Sequence, residues 1–202
     1  MSSFNLHDHY FNKAKAEGFV ARSVYKLEEI DQSIKVIKAD SLVLDLGCAP
    51  GSWLQYVAKK LKKNGRALGV DLQEVKNNFG DNIKTVVDDC FLLTDEKISG
   101  YMSELTPDFK AFDVILSDMA PKTSGIKHVD QTRSFDLAEK VLAVSNKWLK
   151  PQGSIIIKVF ASHEINQLIS EMKKSFQTVR QMRPKSIRSV SKEFYVVGLK
   201  KI

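Results

Sequence analysis

The chain has 202 residues, 43% of them hydrophobic, which suits a single domain with one core and argues against disorder. A formal charge of +7 favours an anionic partner. Two cysteines (Cys48, Cys90) and four histidines (His7, His9, His128, His163) make neither a disulfide framework nor a zinc-ligand pattern, and no metal site is expected. No segment reaches the roughly 18 apolar residues of a membrane span, and no leader pattern opens the chain. A soluble, cytoplasmic monomer is expected, or a mitochondrial one in a eukaryote, with His7 and His9 as surface residues near a frayed terminus.

In chain order, Val20, Val24, Leu27 and Ile30 recur at helical spacing and predict a helix over 19–34. Val36 to Asp40 lead into a strand over 42–46. A helix follows from Ser52, whose hydroxyl suits a cap, to about Lys62, and Asn64-Gly65 ends it. Strands are predicted at Ala67–Asp71, Ile83–Val87 and Phe112–Asp118, with a polar helix over 95–104 before the last of these. The loop Met119–Val129 precedes a helix from Asp130 to Leu149, and Pro151-Gln152-Gly153 reads as a sharp stop and turn. Ser154–Phe160 is apolar throughout, as a central parallel strand should be. A helix over 163–174 and strands over 176–182 and 193–200 complete the chain. Strands alternating with helices predict a mostly parallel seven-stranded sheet covered on both faces. The last link is too short for a parallel crossover, so the final strand should run antiparallel. One domain, 1–202, is expected, with residues 1–40 as a helical extension.

The segment Val43 to Trp53 carries the strongest signal. An apolar strand ends in an acid, Asp45, and a turn bracketed by Gly47 and Gly51 leads into a helix. That is how a nucleotide-type cofactor is fed onto a helix N-terminus. The turn departs from the dinucleotide fingerprint G-x-G-x-x-G. Asp71, about twenty residues beyond Gly51, can accept hydrogen bonds from ribose hydroxyls, which NAD and S-adenosylmethionine both possess. Asp88-Asp89 after the third strand could reach an adenine amino group. Asp45, Gly47, Gly51, Asp71 and Asp89 follow successive strands, at the sheet edge where open α/β folds bind ligands. Trp53 packs either in the core or against the cofactor.

Two ionisable residues end apolar strands. Asp118 closes the run from Val114, and Lys158 interrupts Ile155–Phe160. Burying such charges is costly unless they are paired or used. An antiparallel last strand would bring Glu193 to the same edge, converging on Asp118 and Lys158. Lys26, on the boundary between the polar and apolar sides of its helix, can join them only through tertiary packing.

Arg22-Ser-Val-Tyr-Lys26-Leu, Asp45-Leu-Gly-Cys-Ala-Pro-Gly-Ser-Trp53, Ser117-Asp-Met-Ala-Pro121, Lys158-Val-Phe160 and Ser191-Lys-Glu-Phe-Tyr195 resemble the FtsJ/RrmJ (RlmE) family of RNA 2′-O-ribose methyltransferases. The match runs in order from about Tyr10 to the C-terminus. The resemblance implies a Rossmann-like fold that uses S-adenosylmethionine. It also implies a catalytic tetrad of Lys26, Asp118, Lys158 and Glu193. The cofactor positions it implies are Gly51, Trp53, Asp71, an acid after strand three, and Asp118. Where the family often has Gly-Asp after strand three this chain has Asp88-Asp89, and Asp89 is the favoured contact. In this reading Lys158 is the base that takes the 2′-hydroxyl proton. Lys26 favours its neutral form, while Asp118 and Glu193 orient it.

The implied acceptor is a uridine of large-subunit ribosomal RNA. Relatives acting on tRNA anticodon loops keep the same tetrad. From Lys173 to Lys192 there are seven Lys/Arg and no Asp or Glu, and Lys13, Lys15, Arg22 and Lys26 lie among Tyr10, Phe11 and Tyr25. Such clusters suit RNA, whether as free ribosomal RNA or as the large ribosomal subunit. A small-molecule methyltransferase would not need the basic tract. A nicotinamide enzyme would lack its full glycine fingerprint. A non-catalytic RNA-binding protein would have no use for Lys158 and Glu193.

Overall fold

Five parallel strands build the half of the molecule that the glycine turn belongs to. The computed structural model describes residues 6–202, and the side chain of His7 lies outside the described residues. The elements run α1 (Leu6–Ala16), α2 (Val24–Ile34), β1 (Leu42–Leu46), α3 (Ser52–Lys60), β2 (Arg66–Asp71), β3 (Ile83–Val87) and α4 (Asp95–Ser103). Then follow β4 (Phe112–Ser117), α5 (Lys127–Trp148), β5 (Leu149–Phe160), α6 (Ile165–Ser175), β6 (Phe176–Met182) and β7 (Glu193–Lys201). One seven-stranded sheet has the order β3-β2-β1-β4-β5-β7-β6. β1 to β5 pair in parallel, and β7 is antiparallel to both neighbours, slotting between β5 and β6. This is the expected Rossmann-like architecture. Among the described residues no helix is long and apolar enough to cross a membrane.

Both sheet faces are apolar because both are covered. Alternation sends Leu44, Val70, Ile115, Ile157 and Val196 to the face under α4, α5 and α6. Val43, Ala67, Leu116, Ile156 and Val197 go to the face under α2 and α3. Each fully buried side chain contributes roughly 1.5–3 kcal/mol, so the two clusters hold the sheet edge rigidly.

Several expected boundaries move. The helix expected over 19–34 begins only at Val24. Gly18, at φ 74°, ends α1, and Val20 is exposed, donating its N–H to Gln55 Oε1 at 2.9 Å. α3 ends at Lys60, and its N-cap is Gly51 rather than Ser52. The Ser52 hydroxyl instead meets that of Ser23 at 2.7 Å, stitching α3 to the start of α2. α5 begins at Lys127, three residues before the expected Asp130. Its C-terminal carbonyls are closed by Lys201, whose Nζ donates to Ser145, Asn146 and Leu149 oxygens at 2.7–2.9 Å. Pro151–Gly153 is a bulge inside β5 and not a turn between elements. Phe112 faces Leu149 but Val114 faces Ser154, so the extra residues loop out, with Gln152 at φ 65°.

Candidate active site

Asp45 lies in β1 and Asp71 ends β2, while Asp89 lies just beyond β3 and Asp118 just beyond β4, so these acids line one sheet edge. Along that edge runs a cavity of about 390 Å³ lined by Gly47, Asp71, Leu72, Asp89, Asp118 and Met119, among others. It shares Gly47, Ala49 and Asp118 with a smaller hollow of about 40 Å³ beneath α2, lined also by Ser23, Asp45 and Trp53. Gly47 sits at φ 74°, and a Cβ there would collide with Met119, so only glycine leaves the turn open.

The acids differ in state. Asp45 is 1% exposed, and its Oδ2 has no hydrogen-bond partner among the described residues. Burial first, then the negative charges of Asp118 and Asp71, hold its carboxyl well above the usual carboxylate range. Asp71 accepts from Ala49 N at 2.9 Å and Gln73 N at 2.8 Å, which fixes both turns at the cavity mouth. Asp88 is occupied: Lys97 Nζ lies 2.8 and 2.9 Å from its two oxygens, and Tyr101 donates at 2.9 Å. Both acids line the cavity, but no described lysine pairs with Asp89, whose Oδ1 accepts from Phe91 N at 2.9 Å, so the doublet divides into a paired and an available acid. Gly51 lines neither hollow. At φ 103° it caps α3, and a Cβ there would meet Phe79 and Val75 at 2.7 and 2.9 Å. Trp53 is 2% exposed and belongs to the core. Its ring packs on Tyr195 with centroids 5.8 Å apart, its Nε1 donates to Ser23 O at 3.0 Å, and its edge lines the small hollow.

Lys26, Asp118, Lys158 and Glu193 meet as two ion pairs. Lys158 Nζ lies 3.1 Å from Asp118 Oδ1 and also donates to the Asp118 carbonyl. Lys26 Nζ lies 2.6 Å from Glu193 Oε1. Alternation explains the convergence. Asp118, Lys158 and Glu193 share parity with Leu116, Ile156 and Val197, so they point to the face that α2 covers, and α2 carries Lys26. All four side chains are at most 20% exposed, in a partly dry setting where a charge is strongly felt. Tyr195 is a site residue that sequence reasoning misses. It faces Lys158 across the β5–β7 ladder and donates its hydroxyl to Asp118 Oδ1 at 2.6 Å. Its spacing of two from Glu193 on one strand is the available signal. No cluster of metal-binding side chains occurs among the described residues.

Fold and site together define a Rossmann-like α/β domain, with a ligand cavity at the strand ends and paired lysines and carboxylates on the same sheet edge. Comparison with known proteins narrows the class. The FtsJ-like methyltransferase family model matches residues 19–201. The chain is 45% identical to the ribosomal RNA large subunit methyltransferase E of Bdellovibrio bacteriovorus, covering 98% of this chain and 99% of that one. It is 43% identical to the protein of the same name from Nitratidesulfovibrio vulgaris strain DP4, over 95% and 92% of the two chains. A solved ribosomal RNA methyltransferase from Plasmodium falciparum superposes with TM-score 0.77 at 26% identity, over 91% and 98%. The chain belongs to the FtsJ-like methyltransferase family, and it is a methyltransferase.

Proposed function

We propose that this protein transfers a methyl group from S-adenosylmethionine to a ribose 2′-hydroxyl of large-subunit ribosomal RNA, at a uridine. The observation that carries the reading is the pairing of Lys158 with Asp118, which also lines the cavity, and of Lys26 with Glu193 on the same face of the sheet. The names of the relatives support the acceptor class.

The cavity suits the cofactor. Asp45 lines the small hollow and has a buried oxygen with no partner among the described residues, able to accept a hydrogen bond from an amino group. Asp71 and Asp89 offer acceptors along the larger one, for ribose hydroxyls and for adenine. Gly51 contributes by shaping the turn. The cofactor supplies a methyl group on a positively charged sulfur that leaves as a neutral thioether.

The chain's own residues do the rest. The 2′-oxygen forms the new bond to the methyl carbon, and its proton passes to the lone pair of Lys158 Nζ in its neutral, amine form. Asp118 aims that lysine, and Tyr195 fixes Asp118. The Lys26–Glu193 pair borders the ribose and holds it in line, since orientation alone supplies several kcal/mol.

The test is tritiated methyl transfer to isolated large subunits, free ribosomal RNA and tRNA, followed by mapping of alkali-resistant linkages. Label at one uridine of large-subunit RNA is expected. Label in tRNA alone would overturn the acceptor, and alkali-labile label would overturn the ribose chemistry.

A further inference from the structure

Two adjacent carboxylates, Asp88 and Asp89, line the larger cavity just beyond β3. A carboxylate accepts hydrogen bonds and cannot donate one, so by type either acid could receive an amino group. Helix α4 tells them apart. Ile98 and Met102, one helical turn apart, are buried in the core and seat the helix on the sheet. Lys97 and Tyr101, each one position earlier, form the adjoining flank, and both reach Asp88. Lys97 Nζ lies 2.9 Å from Oδ1 and 2.8 Å from Oδ2, and the Tyr101 hydroxyl donates to Oδ2 at 2.9 Å. The start of the helix is fixed as well. Thr94 Oγ1 accepts from Lys97 N at 3.3 Å, and Trp148 Nε1 donates to Asp95 Oδ1 at 2.8 Å.

This clamp reaches Asp89 through the backbone. Asp88 Oδ1, already held by Lys97, accepts from the Asp89 N–H at 2.8 Å. Asp88 N donates to Asp71 O at 3.0 Å, which ties the acid of β2 to the same arrangement. Beyond it the chain turns over Asp89: Phe91 N donates to Oδ1 and Leu92 N to its carbonyl, both at 2.9 Å. Among the described residues no hydrogen bond engages Asp89 Oδ2. The peptide and one carboxylate oxygen are therefore fixed, and the other oxygen is left as the acceptor. Lys97 also offsets the charge of Asp88, which would otherwise stand beside Asp89 as a second, unpaired carboxylate.

We propose that Lys97 and Tyr101 are positioning residues: by holding Asp88 they aim Asp89 at position 6 of the cofactor's purine and make the cavity select adenine over hypoxanthine. Adenine presents an amino donor there, whereas hypoxanthine presents a carbonyl oxygen that a carboxylate repels. Fixing Asp89 matters because a loosened carboxylate could shift to the N1–H that hypoxanthine carries. The inference rests on the S-adenosylmethionine reading of the cavity and adds the source of its base specificity.

Calorimetric affinities of the whole protein for S-adenosylhomocysteine and for its deaminated analogue, S-inosylhomocysteine, test the clamp. Wild type is expected to prefer the adenosyl compound at least about tenfold, the scale of one hydrogen bond to a charged group. Lys97→Met, alone and with Tyr101→Phe, should erase most of that preference, and Lys97→Arg, which can still pair with Asp88, should keep it. Asp89→Asn should erase it too, because an amide can donate to the carbonyl. Lys97 is 42% exposed, and so open an ion pair adds little to stability, so melting temperatures should stay close to wild type. Equal weakening of both ligands in the clamp variants, or an undiminished preference, overturns the proposal and leaves Lys97 and Tyr101 as props of α4. Preference lost in Asp89→Asn but kept in the clamp variants overturns the clamp and sustains Asp89 as the adenine contact. A wild type that binds S-adenosylhomocysteine without preference overturns the clamp alone. One that does not bind it at all removes the cofactor reading and the clamp together.

Discussion

Lys158 is where a single side chain weighs most. Its amine lies near the end of an apolar run of β5, 8% exposed, facing one carboxylate. A solvated surface lysine would need no such partner. Lys158→Ala is expected to slow single-turnover methyl transfer by roughly 10²–10⁴-fold, the usual contribution of a general base. Calorimetric S-adenosylmethionine affinity should stay at the wild-type value, and equal transfer rates would refute the role. Asp45 makes a different prediction. An unfolded aspartate titrates near about 3.9, whereas burial holds the folded carboxyl well above that range. Between those two values the folded state keeps a proton the unfolded chain has released, so stability is lost as pH rises above about 4. Asp45→Asn removes the titration. Melting curves from about pH 4 to 8 should show wild type weakening relative to the variant, by up to about 1.4 kcal/mol per pH unit in that window. Parallel curves would contradict it.

Helix α2 is the element on which the site depends, because Lys26 reaches Glu193 only if α2 lies flat on the sheet. Asp31, fully buried at its C-terminal half, does the anchoring. It accepts from Tyr56 OH at 2.9 Å and Ile37 N at 3.0 Å, and Lys60 Nζ stands 3.1 Å away. Asp31→Ala leaves those donors without their acceptor and should cost about 3 kcal/mol in urea denaturation. It should also slow transfer at saturating cofactor, because the mount of Lys26 loosens. The helix stop offers the opposite change. Lys35 adopts φ 53° and ψ 49°, a left-handed cap that glycine fills without steric penalty. Lys35→Gly is expected to raise stability by up to about 1 kcal/mol and to leave methyl transfer untouched. Of the elements themselves, those dominated by a short apolar run, such as β1 and β4, were legible to within a residue. Those whose ends depend on a partner were not: Ser52 suits a cap by type, yet the Ser23 hydroxyl claims it.

Across the whole molecule, the acid-free basic tract turns out to be two surfaces. β6 begins opposite Lys201 and ends opposite Tyr195, so Lys173 and Lys174 sit at the end of the sheet remote from the site. Arg183, Lys185, Arg188 and Lys192 sit at the site end. Their loop is clamped to α2 by Glu29, which accepts from the Lys185 and Ser186 N–H groups at 2.6 and 3.0 Å, and by Arg22 donating to Ser186 O. Tyr25, which by type could stack on bases, is 1% exposed and belongs to the core. RNA binding is therefore expected to respond to position and not to charge count. Lys185→Glu should weaken it and flatten the salt dependence by about 0.7 log units for each phosphate no longer engaged, whereas Lys173→Glu should change neither. Equal effects would return the tract to a diffuse electrostatic role.

The α/β alternation, the glycine turn and the strand-end acids follow from the order of residue types, because strand period and turn chemistry act over a few positions, whereas Lys26 joins Asp118, Lys158 and Glu193 only through the family resemblance. Three things belong to the fold alone: the insertion of β7 between β5 and β6, the pairing of Lys26 with Glu193, and the division of Asp88 from Asp89. Each joins groups from different elements, where local periodicity carries no information. Which carboxylate a lysine meets is settled by the packing of whole helices against the sheet.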